Sequence, residues 1–521
     1  MEAVQDRYRW QALGTLCLAM FMAMLDNVVV NLALPRIGRD LDAGVSGLQW
    51  VAEGYSLVYA ALLLTGGALG DRYGRTGVFR LGLALFTAGS AAAALAGGIG
   101  ALVAARMLQG VGAALLTPGS LAILRHVFTD ERERARTIGL WSGVSALGLS
   151  VGPVVGGPVV DAFGWAGVFW INVPVGVLAL VAAGRVLPAL PGRARRIDLA
   201  GLALSAAGFG ALVYGLVEGP GRGWTSAPVL GCGVAAAVLL GALVRVELRL
   251  AEPMLELRLF RDRTLAGALL SGLMVSFGMF GAMFFLPLMM QGVMGWAPSD
   301  AGYAGLPMTA TIVLAAPLSG WLTSRHGPRP PLVLGIALCA AGLGGLSLYS
   351  GQAHYWSYLW TLVVLGLGMG LTFTPVSIAV LRRVAPERTG TASATVNTLR
   401  ELGGVLGIAV LGAVLTGRLG SALATAFHRL GLPADGVGHA VAALTGRTAP
   451  GAAPAPPAVR AAVDGAFVDA LHLALRSGAA ALAVTAVLVA VLLRPAPGAG
   501  SGKGEPKETP SEVFGSGVRI R

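Results

Sequence analysis

Three ionisable residues interrupt otherwise apolar runs near the start of this chain: Asp26 in LDNVVVNLALP, Glu53 in QWVAEGYSL and Arg106 in LVAARMLQGVGAA. A carboxyl group surrounded by hydrocarbon holds its proton more tightly, while a nearby guanidinium favours the ionised form. A group balanced between those influences can take up a proton in one conformation and release it in another. Asp26 fits that chemistry, with Arg106 as the neighbouring cation. Arg106 stays charged, so it needs a carboxylate, a carbonyl or water beside it. The alternative is a static Asp26–Arg106 pair, or helix capping beside Asn27 and Asn31. Glu53 reads either as a second proton or cation site or as a carboxylate solvated near the outer interface. Buried ionisable residues in apolar spans usually mark ion paths.

The elements that must position these groups are membrane spans. The chain has 521 residues, 55% hydrophobic and 12% charged, with a mean hydropathy of +0.73. Soluble domains carry roughly 25% charged residues. A spanning helix needs about 20 mostly apolar residues. That length predicts 14 spans, at 11–34, 49–69, 77–97, 100–123, 137–160, 166–187, 198–217, 228–246, 265–290, 302–323, 330–350, 356–381, 392–416 and 477–494. The first run is too long for a signal-peptide core and carries Asp26, so it is read as a span. If it runs outward, Asp26 lies roughly 12 Å inside its outer end.

Loop charge alternates. Arg72, Arg75 and Arg80, then Arg125, Arg132, Arg134 and Arg136, follow even-numbered spans, as do Arg185, Arg193, Arg195 and Arg196. The same holds for Arg245, Arg249, Arg258, Arg261, Arg263, Arg325, Arg329, Arg382, Arg383 and Arg388, whereas short loops after odd-numbered spans hold only Arg36, Arg39 and Arg222. The positive-inside rule then places both termini in the cytoplasm of a multi-pass cell-membrane protein. The net charge of +12 sits in these loops. No basic stripe interleaved with aromatics appears, which argues against nucleic-acid binding.

Cys17, Cys232 and Cys339 are scattered among apolar neighbours, and the six histidines form no HExxH or Cys/His cluster. Neither a disulfide framework nor a metal site is expected, and no cofactor. QGVGAA at 109–114 lies inside a span rather than after a strand, so it is no dinucleotide loop, and no Walker motif is present. No intramembrane His/Asp or Ser/Lys set supports an enzyme.

The organisation read from these runs is an N-terminal six-helix bundle at 1–187 and two inserted helices with a linker at 188–264. A C-terminal six-helix bundle follows at 265–494, carrying a long extracellular segment at 418–476, then a disordered cytoplasmic tail at 495–521. Within the segment, TAPGAAPAPPA should be extended, LATAFHRLGL should form a short surface helix, and VRAAVDGAFVDALHLAL should lead into the last span. GALGDRYGR at 67–75 repeats as GWLTSRHGP at 320–328, aligning Gly67, Leu69, Arg72 and Gly74 with Gly320, Leu322, Arg325 and Gly327. Repeated six-helix halves with a site between them near the midplane are a transporter architecture.

GLSVGPVVGG places Gly148, Gly152 and Gly156 on one helical face, followed by Gly157. Such a face allows backbone-to-backbone approach of another helix. Pro153 removes a backbone donor and should bend the helix. The stretch is either a moving hinge or a tight static seam.

Taken in order, these motifs resemble the major facilitator superfamily, in its 14-helix drug:proton antiporter branch. LDNVVVNLALP, GALGDRYGR, LVAARMLQGVGAA and GLSVGPVVGG carry the resemblance, with WINVPVG at 170–176 and NTLRELGGVLGIAV at 397–410. Thr76 departs from the pattern, standing where the loop motif usually has a second basic residue. The resemblance implies an all-α membrane fold and proton-relay control by Arg106. It implies an exporter motif at Gly148–Gly157 and a conformational gate at Gly67, Asp71, Arg72, Gly74 and Arg75. Read without the resemblance, Asp71 is a solvated turn charge. Arg400 and Glu401 form either a second latch or an interfacial pair.

Span 265–290 is uncharged and rich in Met and Phe. Phe277, Met283, Phe284 and Gln291, with Asp26 and Asn31, are the candidate substrate lining. Flexible Met and Phe surfaces suit promiscuous hydrophobic ligands, although such residues also simply pack or face lipid. The function expected is proton-driven export of hydrophobic or cationic drugs by a monomer in the lipid bilayer. A facilitator or importer on the same scaffold, and a non-transporting membrane sensor, are the alternatives.

Overall fold

The computed structural model describes residues 2–192, 198–250, 260–349, 354–381, 389–430 and 456–493. Arg193, Arg195, Arg196, Arg258, Arg382, Arg383, Arg388, most of TAPGAAPAPPA and the tail at 495–521 lie outside the described residues. The described chain is helical: α1 (Glu2–Asp40), α2 (Val45–Tyr73), α3 (Arg75–Ala94), α4 (Ile99–Val127), α5 (Glu131–Phe163), α6 (Gly167–Trp170), α7 (Asn172–Val186), α8 (Leu199–Arg222) and α9 (Ala227–Arg249). These are followed by α10 (Arg263–Pro287) with a π turn (Leu288–Val293), α11 (Pro298–Ala304), α12 (Leu306–His326), α13 (Arg329–Leu346), α14 (Tyr355–Leu381), α15 (Thr389–Arg429) and α16 (Pro457–Leu492). Thirteen helices are long and apolar enough to span a membrane, and a bent pair within α2 makes up to 14.

Each expected span has its helix, but several edges move. α15 continues through Arg429, and α16 starts at Pro457. Much of the segment read as a loop at 418–476 is therefore helix continuous with its neighbours, and LATAFHRLGL is largely the end of α15 rather than a separate helix. Its apolar positions keep the helical period: Leu419, Leu423 and Phe427 are buried, as are Phe467, Leu471 and Leu475 of α16. The sharp bend is not where Pro153 suggests. α5 runs as one helix through Pro153 and Pro158, whereas α2 bends by 52° between Val45–Leu63 and Thr65–Tyr73. The bend adjoins Gly66, whose missing side chain lets the α2 backbone meet the Ala114 carbonyl of α4.

Two sets of helices repeat one packing pattern. α1 against α5, α2 against α4 and α3 against α4 recur as α10 against α15, α12 against α14 and α13 against α14. Small residues make the repeated seams. A Cβ on Gly82 would fall 2.7 Å from the Gly112 oxygen, and one on Gly335 would fall 2.8 Å from the Gly368 oxygen. α8 and α9 form a hairpin, and α8 lies across the α2–α15 seam, where Leu57, Val213, Val217, Val405 and Ala409 pack together. At one end Glu218 of α8 accepts hydrogen bonds from Ser46 Oγ and Trp50 Nε1 of α2, each at 3.1 Å, and from Arg222 Nε at 2.9 Å.

The loops divide into an arginine-rich end and an arginine-poor end. Described contacts between the two sets concentrate toward the arginine-poor end. Gln49 Nε2 donates to the Ile408 oxygen at 3.0 Å, Gln291 Nε2 to the Leu32 oxygen at 2.9 Å, and Ser299 N to Asp161 Oδ2 at 3.0 Å.

Candidate functional site

Asp26 projects from the middle of α1 into the first set of helices, where it is wholly buried. A charge there must be matched by donors, because an isolated carboxylate in an apolar interior is far too costly. Arg106 of α4 supplies the main one, its Nη1 donating to Asp26 Oδ2. Gln109, one turn along α4, donates Nε2 to Asp26 Oδ1 at 3.1 Å, and Asn172 at the start of α7 donates Nδ2 to the same oxygen at 2.6 Å. The carboxylate thus accepts from three side chains on two other helices.

Arg106 is held independently of Asp26. Its Nη1 also donates to Gln109 Oε1 at 3.0 Å and its Nε to the Val51 oxygen at 3.2 Å. Its guanidinium lies over the Tyr55 ring, 4.5 Å from the centroid, and 5.9 Å from that of Phe169. Gln109 Nε2 further donates to Ser90 Oγ at 2.8 Å. Arg106, Gln109, Asn172, Ser90 and Tyr55 are all buried. Two buried polar atoms of this cluster have no hydrogen-bond partner, Asn172 Oδ1 and Tyr55 Oη.

Sequence reasoning joined Asp26 to Arg106 but missed Gln109, Asn172 and Ser90. Uncharged polar residues are common in spans and carry no comparable signal. The i, i+3 spacing of Arg106 and Gln109 is the one clue to their shared face.

Of the two readings of Glu53, the solvated one does not describe its place in the fold. It is fully buried, and neither carboxyl oxygen has a hydrogen-bond partner. It stands one turn from Gln49, which bonds the α15 backbone, and one turn from Leu57, which packs on α15 and α8. The covering helices come from far along the chain, so depth estimated from α2 alone is misleading.

A cavity of about 50 Å³ lies between the two sets of helices, lined by Asn31, Leu32, Pro153, Met283, Met290 and Met308 among others. Of the residues named as candidate lining, Asn31 and Met283 face this cavity. Asp26, Phe277, Phe284 and Gln291 do not line it. Phe284 is wholly buried with its ring against Phe285, Phe277 packs in the core beside Gly407, and Gln291 is spent on the Leu32 carbonyl. A hydropathy pattern shows that such residues are apolar but not which neighbour takes their face.

The glycine stripe of α5 packs on α1. A Cβ on Gly148 would fall 2.8 Å from the Phe21 oxygen, one on Gly152 3.1 Å from Val28, and one on Gly156 3.0 Å from Val29. Gly157 faces the other set, where an added Cβ would fall 2.5 Å from Pro298 O, and Gly302 of α11 meets the Pro153 carbonyl. At the arginine-rich end Asp71 accepts from Arg75 Nε and Nη2, both at 3.0 Å, across one turn. Gly67 packs beside Pro118, and Arg72 lies over the Tyr73 ring. Thr76, the departure from the motif, donates to the Pro188 oxygen at 2.6 Å and so ties α3 to the segment after α7. Arg400 and Glu401 are half-buried, with the Arg400 guanidinium 4.0 Å from the Phe373 centroid.

Residues 16–408 match the profile described as Major Facilitator Superfamily. The chain belongs to that superfamily. This facilitator is therefore a multi-pass membrane transporter rather than an enzyme. It is 40% identical to Multidrug resistance protein Stp of Mycobacterium tuberculosis over 410 residues, covering 78% of this chain and 76% of that one. It is 34% identical to the Tetracenomycin C resistance and export protein of Streptomyces glaucescens over 474 residues, covering 90% and 87%. Among solved structures it resembles a bacterial homologue of the human lysosomal transporter Spinster in an inward-facing, occupied conformation. The TM-score there is 0.68 at 16% identity, covering 94% of this chain and 97% of that one.

Proposed function

We propose that this facilitator is a proton-coupled drug exporter of the cytoplasmic membrane. It carries hydrophobic or cationic molecules outward in exchange for protons, and acts as a monomer. Its arginine-rich end and both termini face the cytoplasm, as loop charge favours. The halves at 1–187 and 265–494 rock about the cavity between them, with Gly148, Gly152, Pro153, Gly156 and Gly157 as the hinge seam. Gly67, Asp71, Arg72, Gly74 and Arg75 form the cytoplasmic gate, and 188–264 supplies the inserted helices. Resistance and export proteins among its relatives support drug as the cargo.

The observation that carries this reading is the donor and acceptor balance around Asp26. Ionised, it accepts from Arg106, Gln109 and Asn172. Once protonated, it must donate, and an unmet buried donor costs about 1–3 kcal/mol. Asn172 Oδ1 is a buried acceptor with no partner, and turning the amide over presents it to the new proton. Arg106 meanwhile keeps Gln109, the Val51 carbonyl and the Tyr55 ring. The cluster can thus hold either protonation state without leaving a bare charge. Glu53 is a second proton site, opened when the α2–α15 seam parts.

The test is uptake of a cationic dye into everted membrane vesicles carrying an imposed pH gradient. Wild-type uptake should collapse with a protonophore. Asp26→Asn should reduce gradient-driven uptake to background while the protein remains in the membrane. Undiminished, pH-dependent uptake by Asp26→Asn overturns the proposal.

A further inference from the structure

The cavity between the two sets of helices has α1 on one side and α10, α11, α12 and α14 on the other. None of its twelve lining residues is ionisable, and Asn31 alone among them has an amide or hydroxyl side chain. Asn31 is 6% exposed, and among the described residues no hydrogen bond joins its amide to another group. Buried side-chain amides are nearly always paired, and this one has two donors and an acceptor oxygen to satisfy. The opposite wall includes Pro287, where α10 passes into the π turn at Leu288–Val293. Within that turn Met290 lines the cavity, while Gln291 Nε2 holds the Leu32 carbonyl at 2.9 Å. Gln291 Oε1 is a second buried amide atom without a partner. π turns inside helices recur at functional sites.

Water answers the Asn31 amide poorly. An ordered buried water needs two to four polar partners, and Asn31 is the one polar side chain in this wall. The rest is aliphatic or thioether, and Met283, Met290 and Met308 can fit themselves to an aromatic edge. A cation would find no counter-charge here, because Asp26 does not line the cavity and is committed to Arg106, Gln109 and Asn172. An unpaired charge in such a place is costly. A bare hydrocarbon would leave the amide unmet. A single water needs about 10–15 Å³. A cavity of about 50 Å³ therefore has room for one end of a drug-sized molecule and not for the whole.

We infer that this cavity seats the uncharged end of an aromatic cargo, an end bearing one hydroxyl or carbonyl that hydrogen-bonds Asn31 while its ring edge lies on the three methionines. Asn31 is a specificity-determining residue and takes no part in proton exchange. It separates neutral hydrogen-bonding molecules from hydrocarbons, and the lack of a counter-charge separates them from cations. The inference rests on the reading above in that cargo lodges between the halves, and it names the chemistry read there. Any cationic group of the cargo lies outside this cavity.

Three probes on one skeleton, substituted at the same ring position, test it: naphthalenemethanol, methylnaphthalene and naphthylmethylammonium. Binding to purified full-length protein in lipid nanodiscs is read by equilibrium dialysis against empty nanodiscs. No proton gradient is present, so a failure of proton coupling leaves the result untouched. The wild type should hold the alcohol about fivefold more tightly than the hydrocarbon, the size of one neutral hydrogen bond. The ammonium should bind more weakly than either. Asn31→Leu and Asn31→Ala should each bring the alcohol down to the affinity of the hydrocarbon. If none of the three probes binds, cargo does not lodge between the halves and both readings fall. If they bind but the wild type does not favour the alcohol, or favours the ammonium, or if the alcohol keeps its advantage in both Asn31 variants, this inference falls alone.

Discussion

The two halves of this facilitator share a scaffold and differ in chemistry. In the first half, α4 brings Arg106 and Gln109 to Asp26 of α1, inside a wholly buried polar cluster. In the second, α14 occupies the matching place against α12 and α13, but six and three residues before Gly368, where α4 has Arg106 and Gln109 before Gly112, it has the buried Leu362 and Leu365, and α10 presents phenylalanine and methionine. The backbone seams match, Gly82 on Gly112 and Gly335 on Gly368. So do the turns: Gly74 and Gly327 end α2 and α12 at positive φ, +100° and +79°. Beside them, Asp71 and Arg75 of the first turn become Ser324 and Pro328 in the second. Small residues are retained at these backbone contacts, while the Asp26–Arg106 pair has no counterpart in the second half among the described residues. The repeat thus preserves what packing requires and frees the rest to diverge.

The contrast is most sharply tested at its charged centre. Arg106→Gln strands the Asp26 carboxylate and should destabilise the protein by about 3–5 kcal/mol. Met369→Leu, at an equally buried site in the second half, should cost under about 1.5 kcal/mol. Thermal unfolding in detergent compares them, and similar shifts would erase the distinction between the halves.

Next come the shared seams. A Cβ on Gly112 would fall 2.5 Å from Phe86 N, and one on Gly368 2.5 Å from the Gly335 oxygen. Gly112→Ala and Gly368→Ala should each lower stability by about 1–3 kcal/mol, the range for overpacking. If one is harmless, the seams are not equivalent.

The smallest effect is at the turns. Gly74→Ala and Gly327→Ala both force an L residue into a left-handed conformation, at about 1–2 kcal/mol. Gly74→Ala should cost more, since its Cβ would also lie 2.7 Å from the Leu190 oxygen, whereas nothing lies within 4 Å at Gly327. Unfolding midpoints of the two variants rank them.

Much of this was legible in the sequence, for reasons that differ by element. The spans follow from hydropathy, because hydrocarbon demands continuous apolar helix. Asp26 and Arg106 could be joined because buried charges must find each other. The bend escaped because Pro153 is absorbed inside a continuous α5, while the α2 bend adjoins a glycine that meets another helix. Glu53 escaped because the residues one turn to either side of it, Gln49 and Leu57, meet α15 and α8, which lie far along the chain. The reach of α15 to Arg429 escaped because its outer turns alternate buried Leu419, Leu423 and Phe427 with polar residues, lowering mean hydropathy without breaking the helix.

The Glu218 clasp has a mechanical consequence. Its carboxylate is occupied by Ser46 and Trp50 of α2 and by Arg222 of its own helix, while α8 meets α15 through valines and an alanine. In the rocking motion proposed above, those hydrogen bonds tie α8 and α9 to the first half, and the relative tilt falls on the purely aliphatic α8–α15 contact.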